Sequence, residues 1–136
     1  MSRVLGVDVG TVRVGLAISD PGRLVASSLA TLQAGEDAQA TGALVAERAE
    51  AEACQTVVIG LPRSLSGKDT ASTRHVRAVA KAVSRAGREV HLWDERLSSA
   101  EAERIMIGAG KRRAERRTAR DRVAAVIILQ GWLDAR

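Results

Sequence analysis

The first nine residues constrain the fold most strongly, because an apolar run at 3–9 contains a single carboxylate, Asp8. Apolar runs of this kind are typical of a strand that is buried on both faces of a sheet. Gly10 and Thr11 then form a turn, and the next segment alternates between apolar and polar or small residues as far as Ser19. That alternation predicts a second strand. The chain therefore begins with two strands joined by a tight turn, and the buried one carries an acid.

The rest of the chain alternates between strand and helix patterns. The remaining predicted elements are a weak third strand at 24–32, strands at 56–60 and 89–93, and helices at 37–53, at 69–86, from 98 onward and, after a basic segment, up to Leu133. Helical crossovers between the later strands imply parallel pairing, so the sheet should be mixed. Since 136 residues suit one domain, we predict a single α/β domain at 1–136 with five strands flanked by helices.

Positive charge is concentrated in one segment, 111–122, which holds seven basic and two acidic residues. The rest of the chain is balanced, with 14 residues of each sign. A clustered cationic segment is typical of proteins that bind a polyanion, and nucleic acid is the predicted partner. The chain contains no Phe or Tyr, which disfavours base stacking on single strands and favours phosphate contacts to structured nucleic acid. The predicted substrate contacts in this segment are Lys111, Arg112, Arg113, Arg116 and Arg117.

Three acidic positions stand where carboxylates are unfavourable. Asp8 lies in the most apolar strand and needs a positive partner, either a divalent cation or an arginine such as Arg13. Asp94 and Glu95 follow the fifth strand, and strand alternation allows only one of them to lie on the same face as Asp8. Asp121 begins the apolar stripe of the last helix. That stripe continues through Ala124, Ala125, Ile128, Leu129 and Trp132.

Carboxylates with no Cys or His nearby suit a hard cation, so the predicted cofactor is Mg²⁺ or Mn²⁺. Beside a basic segment, this chemistry suggests hydrolysis of phosphodiesters by two metal ions, one activating a water and the other stabilising the leaving oxygen. The single cysteine, Cys54, excludes an internal disulfide and is expected to be a small buried side chain. No apolar run is long enough to span a membrane and no signal peptide is evident, so we expect a cytoplasmic protein that does not bind membranes.

Four motifs follow one another along nearly the whole chain. They are GVDVGTVRVGLA at 6–17 with Ser19 and Asp20, VIGLP at 58–62 with Gly67, LWDERLS at 92–98, and Asp121 with Ala124, Ala125, Ile128, Leu129, Gln130 and Leu133. In order and spacing they resemble the YqgF/RuvX family. The segment at 63–66, RSLS, departs from the family pattern, in which an Asn or Asp is expected, although Arg63 adds a positive charge that could contact substrate.

The resemblance implies an RNase H-like fold and a metal-dependent nuclease whose catalytic and metal-binding residues are Asp8, Glu95 and Asp121, with Asp94 as the alternative to Glu95. It leaves two substrates open. One is the 5′ end of pre-16S ribosomal RNA, which a monomer could mature. The other is the Holliday junction, where two symmetric cuts favour a homodimer. Arg13, just past Asp8, is predicted to contact the scissile phosphate. The alternative to an enzyme is an RNA- or ribosome-binding module with vestigial carboxylates.

Overall fold

The computed structural model describes residues 2–62, 70–94 and 113–136. In the last helix, side chains are described only from residue 123 onward. Five strands and, within the described residues, three helices make up the structure. In chain order they are β1 Val4–Val9, β2 Arg13–Ser19, β3 Ala26–Gln33, α1 Ala38–Ala51, β4 Thr56–Leu61, α2 Ala71–Arg85, β5 Glu89–Asp94 and α3 Arg113–Ala135.

The strands form one mixed sheet in the order β3-β2-β1-β4-β5. β1 and β3 each pair with β2 in antiparallel fashion, whereas β1, β4 and β5 are parallel. The mixed five-stranded sheet is therefore confirmed. Because β1, β4 and β5 share one direction, they all end at the same edge of the sheet, which we call the carboxyl edge.

The two faces of the sheet are covered by different helices. Strand residues such as Leu5, Leu16 and Ile59 are fully buried in one core with residues of α1 and α2, and we call this side the aliphatic face. Val4 and Val58 project to the other side, where they form a second cluster with the apolar residues of α3. We call this side the α3 face. The carboxyl edge thus has one helical layer on each side.

Two predicted boundaries were wrong. β3 begins at Ala26 rather than at Leu24, because one carboxylate oxygen of Asp20 accepts hydrogen bonds from the amides of Leu24 (2.7 Å) and Val25 (2.8 Å) and holds both residues in the turn. The last helix does not follow the basic segment but begins inside it, at Arg113. Its first turns, 113–122, contain five Arg, two Ala and one Glu, which all have high helix propensity.

The boundaries of α2 follow local capping chemistry. The hydroxyl of Thr70 accepts a hydrogen bond from the amide of Thr73 at 3.2 Å, so the helix starts just after the predicted position. Gly87, just after the helix, has φ 95°, a conformation that other residues rarely adopt, and therefore favours an end at this point. The helix predicted from residue 98, with its inward stripe at Ala102, Ile105, Met106 and Ala109, lies outside the described residues.

Candidate nuclease site

Asp8 is half-buried and precedes the last residue of β1, close to the carboxyl edge. Its neighbour on β2 is Gly15. Because side chains alternate along a strand, Asp8 projects to the same side as Val4 and Gly6, which is the α3 face. The predicted acid in the buried strand therefore lies beneath the helix that carries Asp121.

The approach of α3 to β1 depends on Gly6. A Cβ atom at this position would lie 2.6 Å from the Cβ of Leu129 and 3.1 Å from the carbonyl oxygen of Ala125, so no larger residue fits without moving the helix. Asp8 lies two residues beyond Gly6, about 7 Å along the strand. In α3, Asp121 lies one helical turn before Ala125. The side chain of Asp121 is outside the described part of the chain.

Gln130 anchors the opposite end of α3. Its side chain accepts a hydrogen bond from the amide of Ala26 at 2.8 Å and donates one to the carbonyl of Leu24 at 2.9 Å. Ala26 pairs with Ser19, whose hydroxyl accepts from the amide of Val4 at 2.8 Å. Gln130 therefore contacts the sheet at the level where β1 begins. It follows that α3 runs antiparallel to β1, with its earlier residues towards the carboxyl edge.

Two aromatic residues of β5 show which way this strand faces. The ring of His91 lies 5.1 Å from that of Trp132, centroid to centroid. The indole nitrogen of Trp93 lies 3.0 Å from the position that a Cβ atom on Gly131 would take. Both residues of β5 thus contact α3, so His91 has a packing role on this face.

Asp94 projects to the other side of the sheet. It is exposed, follows Trp93 directly and pairs with Leu61, which belongs to the core of the aliphatic face. Asp94 and Asp8 therefore lie on opposite faces. Glu95 lies outside the described residues.

Sequence analysis missed Thr31, which lies in the same row of the sheet as Asp8. Thr31 pairs with Gly15, and Gly15 pairs with Asp8, so Thr31 and Asp8 share the α3 face with only a glycine between them. The Thr31 hydroxyl is buried and has no hydrogen-bond partner among the described residues. No sequence signal could have revealed it, because the β2–β3 register shifts between Leu16 and Ala17.

Arg13 begins β2, pairs with Gln33 and lies on the α3 face, two residues from Gly15. Because Gly15 pairs with Asp8, Arg13 is a diagonal neighbour of Asp8, at a separation that a long side chain can bridge. Arg13 is half-buried. Of the other predicted substrate contacts, Arg63, Lys111 and Arg112 lie outside the described residues. Arg113, Arg116 and Arg117 lie in the first turns of α3. Their side chains are outside the described part of the structure.

The perturbed carboxylates among the described residues lie at the opposite edge of the sheet. Hydrogen bonds from the backbone amides of Val25 and Leu24 lower the pKa of Asp20, whose carboxylate holds the turn between β2 and β3. A hydrogen bond from the hydroxyl of Thr56 lowers the pKa of Glu89. The lowered pKa of each of these two carboxylates is thus explained by hydrogen bonds that stabilise the fold.

Cys54 has the expected structural role. Its side chain is fully buried, and this burial raises the pKa of its thiol. A thiol held in its protonated form is a poor nucleophile.

The side chains near Asp8 offer oxygen donors, as a hard cation requires. Asp8 supplies a carboxylate and Thr31 a hydroxyl, whereas Gly15 and Gly6 leave the surrounding strand positions without side chains. Within 2–62, 70–94 and 123–136, no three His, Cys, Asp or Glu side chains gather closely enough to hold a metal ion. Two of the three predicted ligands, Glu95 and Asp121, lie beyond those side chains. The donor chemistry fits Mg²⁺ or Mn²⁺ as far as the described residues extend.

No described helix is both long enough and apolar enough to cross a membrane.

Structural comparison places the chain among RNase H-like folds. Thermus thermophilus RuvC in complex with a Holliday junction substrate matches 99% of this chain and 95% of its own, with a TM-score of 0.61 and 18% identity. Thermus thermophilus RuvC without a stated substrate matches 98% of this chain and 95% of its own, with a TM-score of 0.55 and 19% identity. At these identities the likeness concerns the fold.

Sequence comparison identifies the family. The family model described as "RuvX: Holliday junction resolvase" matches residues 2–135. A Mycobacterium tuberculosis protein named "Putative pre-16S rRNA nuclease" is 40% identical over 136 residues, covering 98% of this chain and 79% of the relative. A Bacillus cytotoxicus protein of the same name is 38% identical over 139 residues, covering 98% and 99%. The chain therefore belongs to the RuvX (YqgF) family of nuclease-type proteins.

Proposed function

We propose that this protein is a metal-dependent nuclease that hydrolyses phosphodiester bonds in structured nucleic acid, with Asp8, Glu95 and Asp121 as catalytic and metal-binding residues. One observation carries the proposal: Asp8 projects to the α3 face near the carboxyl edge, about 7 Å along β1 from the contact of Gly6 with Ala125, and Asp121 precedes Ala125 by one helical turn. Ligands of α/β proteins bind at this edge of the sheet.

Strand and helix periodicity support the other two carboxylates. Trp93 contacts α3 and Asp94 lies on the aliphatic face, so alternation favours Glu95 over Asp94 as the partner of Asp8. Asp121 precedes Ala125 by four residues in α3, which puts the two positions on one stripe of the helix. The three acids then come from β1, the residue that follows β5 in the chain, and α3.

Bound divalent cations would supply an activated water on one side of the scissile phosphate and stabilisation of the leaving oxygen on the other. The side chains of the chain have the remaining tasks. The three carboxylates hold the cations, and the guanidinium of Arg13 donates hydrogen bonds to phosphate oxygens. Arg63, Lys111, Arg112, Arg113, Arg116 and Arg117 bind the phosphate backbone on either side of the cut.

The names of the relatives and of the family model point to two substrates, a ribosomal RNA precursor and a Holliday junction. Purified protein and Asp8→Asn should be compared for Mn²⁺-dependent cleavage of a pre-16S RNA 5′ leader, a four-way DNA junction and a linear duplex. Cleavage of the leader alone supports RNA maturation in the cytoplasm. Paired symmetric nicks in the junction support resolution by a homodimer, which sizing of the same sample would detect.

The same experiment contradicts the proposal if nothing is cut, or if Asp8→Asn cuts as well as the unaltered protein. Tight binding without cleavage would instead support an RNA- or ribosome-binding module. Matching circular dichroism spectra and melting temperatures show that both proteins are folded.

A further inference from the structure

A second concentration of positive charge lies on α2. The segment 71–88 contains five basic residues and no Asp or Glu. This local excess of positive charge is hidden when charges are added over all residues outside 111–122, because the total there is zero. Four of the five are exposed and follow one another at intervals of three or four residues, and we call them the α2 stripe: Arg74, Arg77, Lys81 and Arg85. In a regular helix they occupy about 80° of the circumference, so they form one continuous cationic surface.

Three of the four residues of the α2 stripe are not neutralised locally. Arg74, Lys81 and Arg85 form no ion pair or hydrogen bond through their side chains in the described structure. Like charges three or four residues apart destabilise a helix by a few tenths of a kcal/mol per pair. The fifth basic residue, Arg88, has a different role, since it donates hydrogen bonds to the carbonyl of Cys54 and the side chain of Gln55.

α2 runs from the carboxyl edge to the opposite edge, on the side of the sheet away from α3. At its start, the hydroxyl of Thr73 donates a 2.6 Å hydrogen bond to the carbonyl of Pro62, just after β4 ends. Shortly after α2 ends, the amide of Glu89, the first residue of β5, donates a hydrogen bond to the carbonyl of Gln55, just before β4 begins. The α2 stripe therefore leads away from the proposed active site, along the opposite face from the basic first turns of α3.

We propose that the α2 stripe binds the phosphate backbone of a second helical arm of the nucleic acid whose first arm is bound by the basic segment 111–122. The proposal rests on the nuclease function proposed above. A straight duplex lying along the carboxyl edge would reach only the start of α2. Contact with the whole stripe requires an arm that bends or branches away, so the substrate class is a bent or branched nucleic acid.

The dimensions of the stripe suit a phosphate backbone. Arg74 and Arg85 are about 16 Å apart along the helix axis, which matches the axial span of about five phosphates on one strand of a duplex. Lys81 and Arg85 also line a surface groove of about 340 Å³ between α2 and the start of α1. Asp37 borders the same groove, but its carboxylate caps α1 by accepting a hydrogen bond from the amide of Ala40.

The test is a binding measurement without divalent cations, so that nothing is cut. R74Q/K81Q/R85Q is compared with unaltered protein and with a control of equal net charge, R3Q/R48Q/R136Q, whose substitutions lie outside α2. The probes are a four-way DNA junction, a sharply bent two-arm RNA, a straight duplex of equal base-pair number, and anionic lipid vesicles. Melting temperatures establish that each variant is folded, and R74K/R85K keeps the charge and should bind as the unaltered protein does.

We expect the α2 variant to bind the junction or the bent RNA about 10- to 100-fold more weakly, with the slope of log K against log salt reduced by about 2–3 units. The affinity of the α2 variant for the straight duplex should fall by less than about threefold. The control variant should bind every probe as the unaltered protein does. Whether the junction or the RNA is affected identifies the source of the second arm.

The inference is overturned if the α2 variant loses as much affinity for the straight duplex as for the branched or bent probes. It is also overturned if the control variant loses as much affinity as the α2 variant, or if the α2 variant differs only in binding to vesicles. If the unaltered protein cleaves its substrate and the α2 variant binds it normally, only this inference fails. If the unaltered protein binds no nucleic acid, the proposed nuclease function fails with it.

Discussion

The two faces of the sheet are built from different kinds of side chain, although they share the same strands. On the aliphatic face, β1 and β2 contribute Leu5, Val7, Val14, Leu16 and Ile18. On the α3 face, the same strands contribute mostly small or polar residues, Gly6, Asp8, Gly15, Ala17 and Ser19, with Val4 and Arg13 near the strand ends. Large side chains fill the space under α1 and α2, whereas small ones let α3 lie close to the backbone. One face mainly supplies apolar burial, and the other brings a helix close to an acid.

The largest effect should come from the carboxylates that follow β5. We expect Glu95→Gln to lower the cleavage rate by about 1,000-fold or more, because a lost metal ligand removes several kcal/mol of transition-state stabilisation. Asp94→Asn, the matched change on the aliphatic face, should stay within about threefold of the unaltered protein. Single-turnover rates measure both. Inactivation by Asp94→Asn with normal rates for Glu95→Gln would reverse the assignment of the faces.

A substitution in the aliphatic core should affect stability alone. Leu5 is fully buried, so Leu5→Ala should reduce the free energy of unfolding by about 2–5 kcal/mol through lost burial and the cavity left behind. Denaturant titration measures this loss. The cleavage rate per folded molecule should not change, and a tenfold fall in that rate would show that the two faces are coupled.

The adjacent residue tests the other face. Gly6→Ala places a methyl group against Leu129 and Ala125, which should cost about 1–3 kcal/mol of stability and displace α3. Because α3 carries Asp121, the cleavage rate per folded molecule should fall as well. Leu5→Ala is the control, as it destabilises more but leaves α3 in place. A stable, fully active Gly6→Ala would contradict the close approach of the helix.

The smallest expected effect concerns Thr31, whose buried hydroxyl has no hydrogen-bond partner in the part of the chain that the structure describes. Thr31→Val keeps the shape and removes the unpaired polar group, so it should raise the free energy of unfolding by about 1 kcal/mol. Thermal melts of the metal-free protein measure the change. Thr31→Ser, which keeps the hydroxyl, should not be stabilised. A Thr31→Val protein that melts at a lower temperature would show that the hydroxyl has a partner in solution.

Local patterns in the sequence predicted much of this arrangement. The apolar run around Asp8 predicted the buried strand, and the stripe following Asp121 predicted the inward face of α3. Both patterns depend on the periodicity of one element, which can be counted along the chain. The helix predicted at 69–86 likewise lies close to the observed α2.

What could not be predicted depends on the register between elements. The orientation of Asp94 follows from its pairing with Leu61, and the place of Thr31 beside Asp8 follows from two strand pairings and a register shift. The α2 stripe was missed for another reason. Net charge was summed over the chain, and acids on other elements cancelled the excess on α2.

The contact between β1 and α3 also has a consequence for timing during translation. Ala26, the first residue of β3, and Gln130 in α3 are 104 residues apart in the chain yet share a hydrogen bond. At about 5–20 residues per second, a ribosome needs roughly 5–20 s to synthesise the chain between them. During that interval Asp8 exists without the helix that carries Asp121. In the proposed nuclease, the nascent chain is therefore inactive until α3 has been made.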